Sequence, residues 1–150
     1  MIDEKIKSLG ITLPTPPKPA GSYIPVVISN KVAYVSGQIP MEDGKVLFQG
    51  KVTDENLEEA RKSAKLCAIN ILAQLKRELG SLDNIVRIIK VSGFVNSGPD
   101  FSQHPKVINA ASDLFYEIFG ENGKHSRIAV GVSSLPFNSM TEIDAIVEIK

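Results

Sequence analysis

The sequence predicts an α+β chain in which two helices cover one face of a sheet. Three observations carry that expectation. From Thr53 to Leu79, and again from about Pro105 to Phe119, apolar residues recur at helical spacing. The runs around them alternate or are rich in β-branched residues, as strands are. Their order is two strands and a short third, helix, strand, helix, then two strands, so only two amphipathic helices are available to shield the sheet.

The elements follow in order. Asp3 to Leu9 reads as a short helix that stops at Gly10. LPTPPKPAGSY holds four prolines and a glycine, which favours an extended arm over regular structure. IPVVI (24–28) and KVAYVSG (31–37) form a hairpin through a Ser29-Asn30 turn. KVLFQGKV adds a short strand after the turn at Glu42-Asp43-Gly44. Leu57, Ala60, Ala64, Cys67, Ile71 and Leu75 make the buried stripe of the first long helix, capped by Thr53 or Asp54 and ended by Gly80. NIVRIIKVSGFV is mostly apolar and β-branched, which predicts a central strand covered on both sides. The next helix has Pro105 in its first turn and Gly120 as its stop, with Val107, Ala111, Leu114, Phe115 and Ile118 turned inward. Strands at 127–134 and Met140–Ile149 close the chain.

Bulk composition narrows the function. A length of 150 residues suits a single domain, 1–150, with residues 1–20 as an N-terminal extension and proline-rich arm. Lys+Arg and Asp+Glu both number 17, a balance that argues against a nucleic-acid partner held by phosphate neutralisation. No apolar run reaches membrane-spanning length, and MIDEKIKSLG is too polar for a secretory signal. Cys67 is the lone cysteine, which suits a reducing compartment, and the expected location is cytoplasmic. Two isolated histidines give no metal-ligand spacing, and the glycines form no nucleotide-binding loop. The sequence therefore implies neither metal nor other cofactor.

HSRIAVGVSSLP (125–136) carries the chemistry. With period two, Ile128, Val130 and Val132 suit a buried face, leaving Arg127, Ala129 and Gly131 on the other. Small neighbours beside a long cation predict space above the sheet for a ligand or another subunit. Glu142 and Asp144 are expected on that same uncovered face. Arg127 then has two readings: a structural salt bridge to one of these acids, or an anchor for a substrate carboxylate. Ser36, in VSGQIP, has no nucleophile elbow around it and reads as a hydrogen-bonding residue. Tyr23, delivered by the proline arm, is either packing material or the cover of a pocket.

PAGSY, YVSGQIP, VINAASDLFYEIFG, and HSRIAVGVSSLP followed by EIDAIVEI together resemble the Rid family. These are the reactive intermediate deaminases, also called YjgF-like proteins and often labelled endoribonuclease L-PSP or translation inhibitor. The resemblance runs from about Gly21 to the C-terminus. It implies a chorismate-mutase-like fold with a mixed sheet, assembled as a homotrimer with clefts between subunits. It implies hydrolysis of 2-imino or enamino acids to 2-keto acids and ammonia without metal or pyridoxal phosphate. By the same resemblance Arg127 binds the substrate carboxylate and Glu142 positions the attacking water. Tyr23, Ser36 and Asn109 match the family's other substrate-binding positions. Ala129 stands where the best-studied branch often has cysteine. Three functions are open at this point: an imine deaminase, a non-catalytic metabolite-binding or interaction protein using the same clefts, and an RNA-acting translation inhibitor.

Overall fold

The structure, a computed structural model, describes residues 1–16, 19 and 21–150. The predicted proline arm therefore lies partly outside the described residues; Ile11–Pro16 carry no helix or strand. Helix α1 (Ile2–Ser8) forms where expected and buries Ile6. Strands β1 (Val26–Ser29) and β2 (Val32–Gln38) make the first hairpin. Their turn sits one residue later than expected, at Asn30 and Lys31, which both adopt positive φ (51° and 63°). That pair of left-handed residues is what a twisted two-residue hairpin requires. The expected third strand is a separate small hairpin, β3 (Met41–Glu42) and β4 (Lys45–Val46), turning at Asp43-Gly44.

Helix α2 runs Leu57–Leu79, starting four residues after Thr53. Asn56 occupies the cap position, but its side chain bonds backward, accepting from the Thr53 amide (2.8 Å) and donating to the Lys51 carbonyl (2.8 Å). The turn before the helix is thus locked. Strand β5 (Ile85–Asn96), helix α3 (His104–Phe119), strand β6 (Ser126–Val132) and strand β7 (Thr141–Ile149) follow.

The sheet order is β1-β2-β7-β5-β6. β5 and β6 are parallel and the other neighbours antiparallel, giving a mixed sheet with β7 at its centre. Helices α2 and α3 pack on one face. Beneath them lie Val91, Val95, Ile143, Ala145 and Val147, all buried. Three polar groups of the core pair with one another: Thr141 Oγ1 meets Ser63 Oγ at 2.6 Å and Cys67 Sγ at 3.3 Å. Cys67 is the small core residue its stripe predicts, and burial pushes its thiol up to about 12.

Three sequence expectations fail here. Paired residues across a sheet share a face. Arg127 pairs with Val91, and Val91 with Ala145, so Arg127 lies on the helix-covered face. Val130 pairs with Phe94, and Phe94 with Glu142, on the opposite face. Ile128 and Val130 are therefore exposed (42% each) rather than buried. Gly131 marks close approach of structure rather than space for a ligand, and Ala129 packs against the core. A Cβ on Gly131 would lie 2.5 Å from His104 Nε2, and one on Gly93 would lie 2.6 Å from Ile108 Cγ1. Nor is β5 covered on both sides: Ser92 and Phe94 are only half-buried. Among the described residues no helix is long and apolar enough to cross a membrane.

Candidate functional site

Arg127 sits on the edge strand β6, half-buried beneath α3. Its Nη1 donates to Asn109 Oδ1 (2.8 Å) and to Ser112 Oγ (3.2 Å). Asn109 and Ser112 lie three residues apart on α3, so one helical face presents both. Among the described residues no ion pair includes Arg127, so no salt bridge to Glu142 or Asp144 forms within one chain. Both hydrogen bonds fall on one nitrogen. The Nε–H and Nη2–H pair, one of the two forks a guanidinium can offer a carboxylate, makes no hydrogen bond to the described residues. A hollow of about 490 Å³ opens beside it, lined by Ser112, Asp113, Tyr116, Lys124, His125 and Arg127.

Glu142 is on the other face, half-buried, in the central strand. Burial first, and the neighbouring Asp144 second, push its carboxyl above the usual range. Room for it comes from Gly37. The pairing of β2 with β7 shifts between Val35 and Gln38, and this bulge turns Gly37 toward the acid. A Cβ on Gly37 would overlap the carboxylate and come within 2.9 Å of Glu142 Cδ. The same bulge presents Ser36. Gln38 Nε2 donates to the Ser36 carbonyl (3.1 Å), and Gln74 on α2 donates to Gln38 Oε1 (3.3 Å). Tyr23 stands just before β1 and is mostly exposed.

One chain thus joins Asn109 to Arg127 and leaves Glu142 across the sheet from them. Sequence reasoning missed Ser112 and His125, which it treated as a helix residue and an isolated histidine. His125 Nε2 meets Ser112 Oγ at 2.9 Å, and its Nδ1 meets the Gly123 carbonyl at 2.7 Å. Two spacings carried the signal: Asn109-x-x-Ser112 on a helix, and His125-x-Arg127 at the start of a strand.

A family model described as "YjgF/chorismate_mutase-like, putative endoribonuclease" matches residues 3–149. The chain belongs to the YjgF/Rid family. Protein TCP17 of Trypanosoma cruzi is 40% identical over 146 residues, covering 96% of this chain and 91% of that one. A 2-iminobutanoate/2-iminopropanoate deaminase of Dermatophagoides farinae is 30% identical, covering 93% and 95%. The crystal structure of Atu1372 from Agrobacterium tumefaciens superposes with a TM-score of 0.92 at 50% identity, covering 99% of this chain and 92% of that one. The expected chorismate-mutase-like fold is therefore the fold of this Rid chain, with α1 as a third helix beside α2 and α3.

Proposed function

We propose that this Rid protein hydrolyses 2-imino or enamino acids to 2-keto acids and ammonia, in clefts between the subunits of a homotrimer. The observation that carries this reading is the division of labour between the sheet faces. An arginine with an unused fork lies on the covered face of an edge strand, and an acid of raised pKa lies on the uncovered face. Within one chain they are held apart by the sheet. A second copy docked at the β6 edge brings its own Glu142, Ser36 and Tyr23 to Arg127 of the first. The exposed apolar residues Val27, Tyr34, Ile128 and Val130 supply the surface for that assembly.

The chemistry asks little of the protein. An iminium carbon is already electrophilic, so orientation and modest proton transfer suffice. Arg127 pairs both carboxylate oxygens through Nε and Nη2. Glu142 takes a proton from water as its oxygen bonds to C2, and the C=N π pair moves onto nitrogen. Glu142 then returns the proton to that nitrogen; as the C–N bond breaks and ammonia leaves with its electron pair, the hydroxyl oxygen closes the C=O bond of the 2-keto acid and its proton passes to the Glu142 carboxylate and from there to solvent. A carboxyl tuned upward from its ordinary value is better suited to returning a proton than an ordinary carboxylate.

A coupled assay tests this reading. An amino-acid oxidase generates 2-iminobutanoate in situ, and loss of the imine is followed with and without the protein. Faster 2-oxobutanoate release that Glu142→Gln abolishes supports the proposal. Release at the uncatalysed rate contradicts it.

A further inference from the structure

We propose that His125 and Ser112 form a relay that aims Arg127 at its ligand, making His125 a pH-sensitive positioning residue. The inference rests on the carboxylate-anchor reading of Arg127 and deepens it. The relay is fixed by what each atom is able to do. The Gly123 carbonyl only accepts, so His125 Nδ1 carries a hydrogen (2.7 Å). In the neutral ring Nε2 then has a lone pair, and the Ser112 hydroxyl donates to it (2.9 Å). With its proton committed to His125, Ser112 Oγ presents only lone pairs to Arg127 Nη1 (3.2 Å). Asn109 Oδ1 takes the second Nη1 hydrogen (2.8 Å). All of Nη1 is consumed on the α3 side, which leaves Nε and Nη2 as the fork that meets a ligand.

The surroundings keep the ring neutral. Burial leads in holding the His125 pKa below its ordinary value; the hydrogen bond to Gly123 works the other way, and Arg127 adds to the lowering. Phe115 covers the ring edge-on, with centroids 5.9 Å apart. Lys124 from the same loop, Asp113 and Tyr116 from α3, and Arg127 from β6 line the hollow that the ring shares. Lys124 is paired with Glu121 (3.1 Å), and Arg87 on β5 donates to the Lys124 carbonyl (2.6 Å). Protonating His125 turns Nε2 into a donor. Ser112 must then accept from it and swing its own hydrogen away, with two cations meeting at one hydroxyl. The relay is whole above the His125 pKa and reverses as pH falls through it.

The test compares KM and kcat for 2-iminobutanoate, and affinity for 2-oxobutanoate, across pH 5–8 in intact protein. His125→Leu and Ser112→Ala should raise KM and the 2-oxobutanoate dissociation constant about fivefold at pH 7.5, the worth of one lost hydrogen bond. Their kcat should stay within about twofold, because the acid–base group is elsewhere. His125→Gln places an amide oxygen where Nε2 stood, so it should restore KM at pH 7.5 and erase the rise in KM that wild type shows on acidification. Unchanged KM in Ser112→Ala, or an acid rise that persists in His125→Gln, overturns the relay while the anchor stands. Wild-type 2-oxobutanoate affinity in Arg127→Ala overturns the anchor, and the relay with it.

Discussion

The covered and uncovered faces of the sheet meet different fates. Under the helices, Val91, Ile143 and Val147 are fully buried, whereas Val27, Tyr34, Ile128 and Val130 on the opposite face keep 42–48% of their surface exposed. Both faces carry β-branched side chains, and the uncovered one adds Tyr34, Phe94 and the acids Glu142 and Asp144. What separates them is that α2 and α3 reach only one, and the proposed second copy would cover the other. The difference also divides the chemistry, since Arg127 belongs to the covered face and Glu142 to the other.

The largest effect should come from charging the uncovered face. Val130→Asp puts a carboxylate on the strand beside Phe94, whose other neighbour is Glu142, and buries that charge wherever a second copy docks. Sedimentation equilibrium should find monomer in place of trimer, with imine hydrolysis at background. A trimer of full activity would mean that this face is not the interface.

Next in size is Glu142→Gln, which should cut kcat by about 10²–10⁴, the range for losing an acid–base group. Its stability effect has the opposite sign. A raised folded-state pKa means that the folded chain holds a proton the unfolded chain has released, so stability falls as pH rises above 4.5. The amide removes that cost, and Tm at pH 7 should not drop. A lower Tm with unchanged kcat would make Glu142 structural.

Arg127→Lys keeps the charge and loses the fork. It should weaken turnover and 2-keto acid binding by roughly ten- to a hundredfold, from a charge-assisted pair worth about 1.5–3 kcal/mol. The smallest effect belongs to the covered face alone. Gly93→Ala forces a methyl against Ile108 and should cost about 1–3 kcal/mol, read as a lower Tm, without changing the KM of the protein that remains folded.

Much of this was legible in the sequence, and the exceptions have a common cause. The stripe Ala60, Ala64, Cys67, Ile71 and Leu75 specifies α2 because helical spacing says both that a helix forms and which side is inward. Gly80 and Gly120 end their helices with φ of 78° and 62°, values that favour glycine. A strand with two apolar or small faces is different. Period two groups Arg127 with Ala129 and Gly131, and Ile128 with Val130, without saying which group the helices cover. Ala129 and Gly131 look like vacancies in a sequence; in the fold the Gly131 position is filled by His104 and Ser97. The resemblance pointed to Arg127 and Asn109, which the fold joins, but not to Ser112 and His125. Those two are connected only once α3 lies over β6.

The central claim is that one site draws Arg127 and Glu142 from different copies of the chain. Mixing tests it most directly. Arg127→Ala and Glu142→Gln proteins, each inactive in 2-iminobutanoate hydrolysis, are unfolded together in equal amounts, refolded, and assayed against each protein refolded alone. If neighbours share sites, random assembly pairs an intact arginine with an intact glutamate in about a quarter of the clefts, and about a quarter of wild-type activity returns. If both residues act within one chain, no cleft in the mixture holds an intact pair, and activity stays at the level of the separate variants.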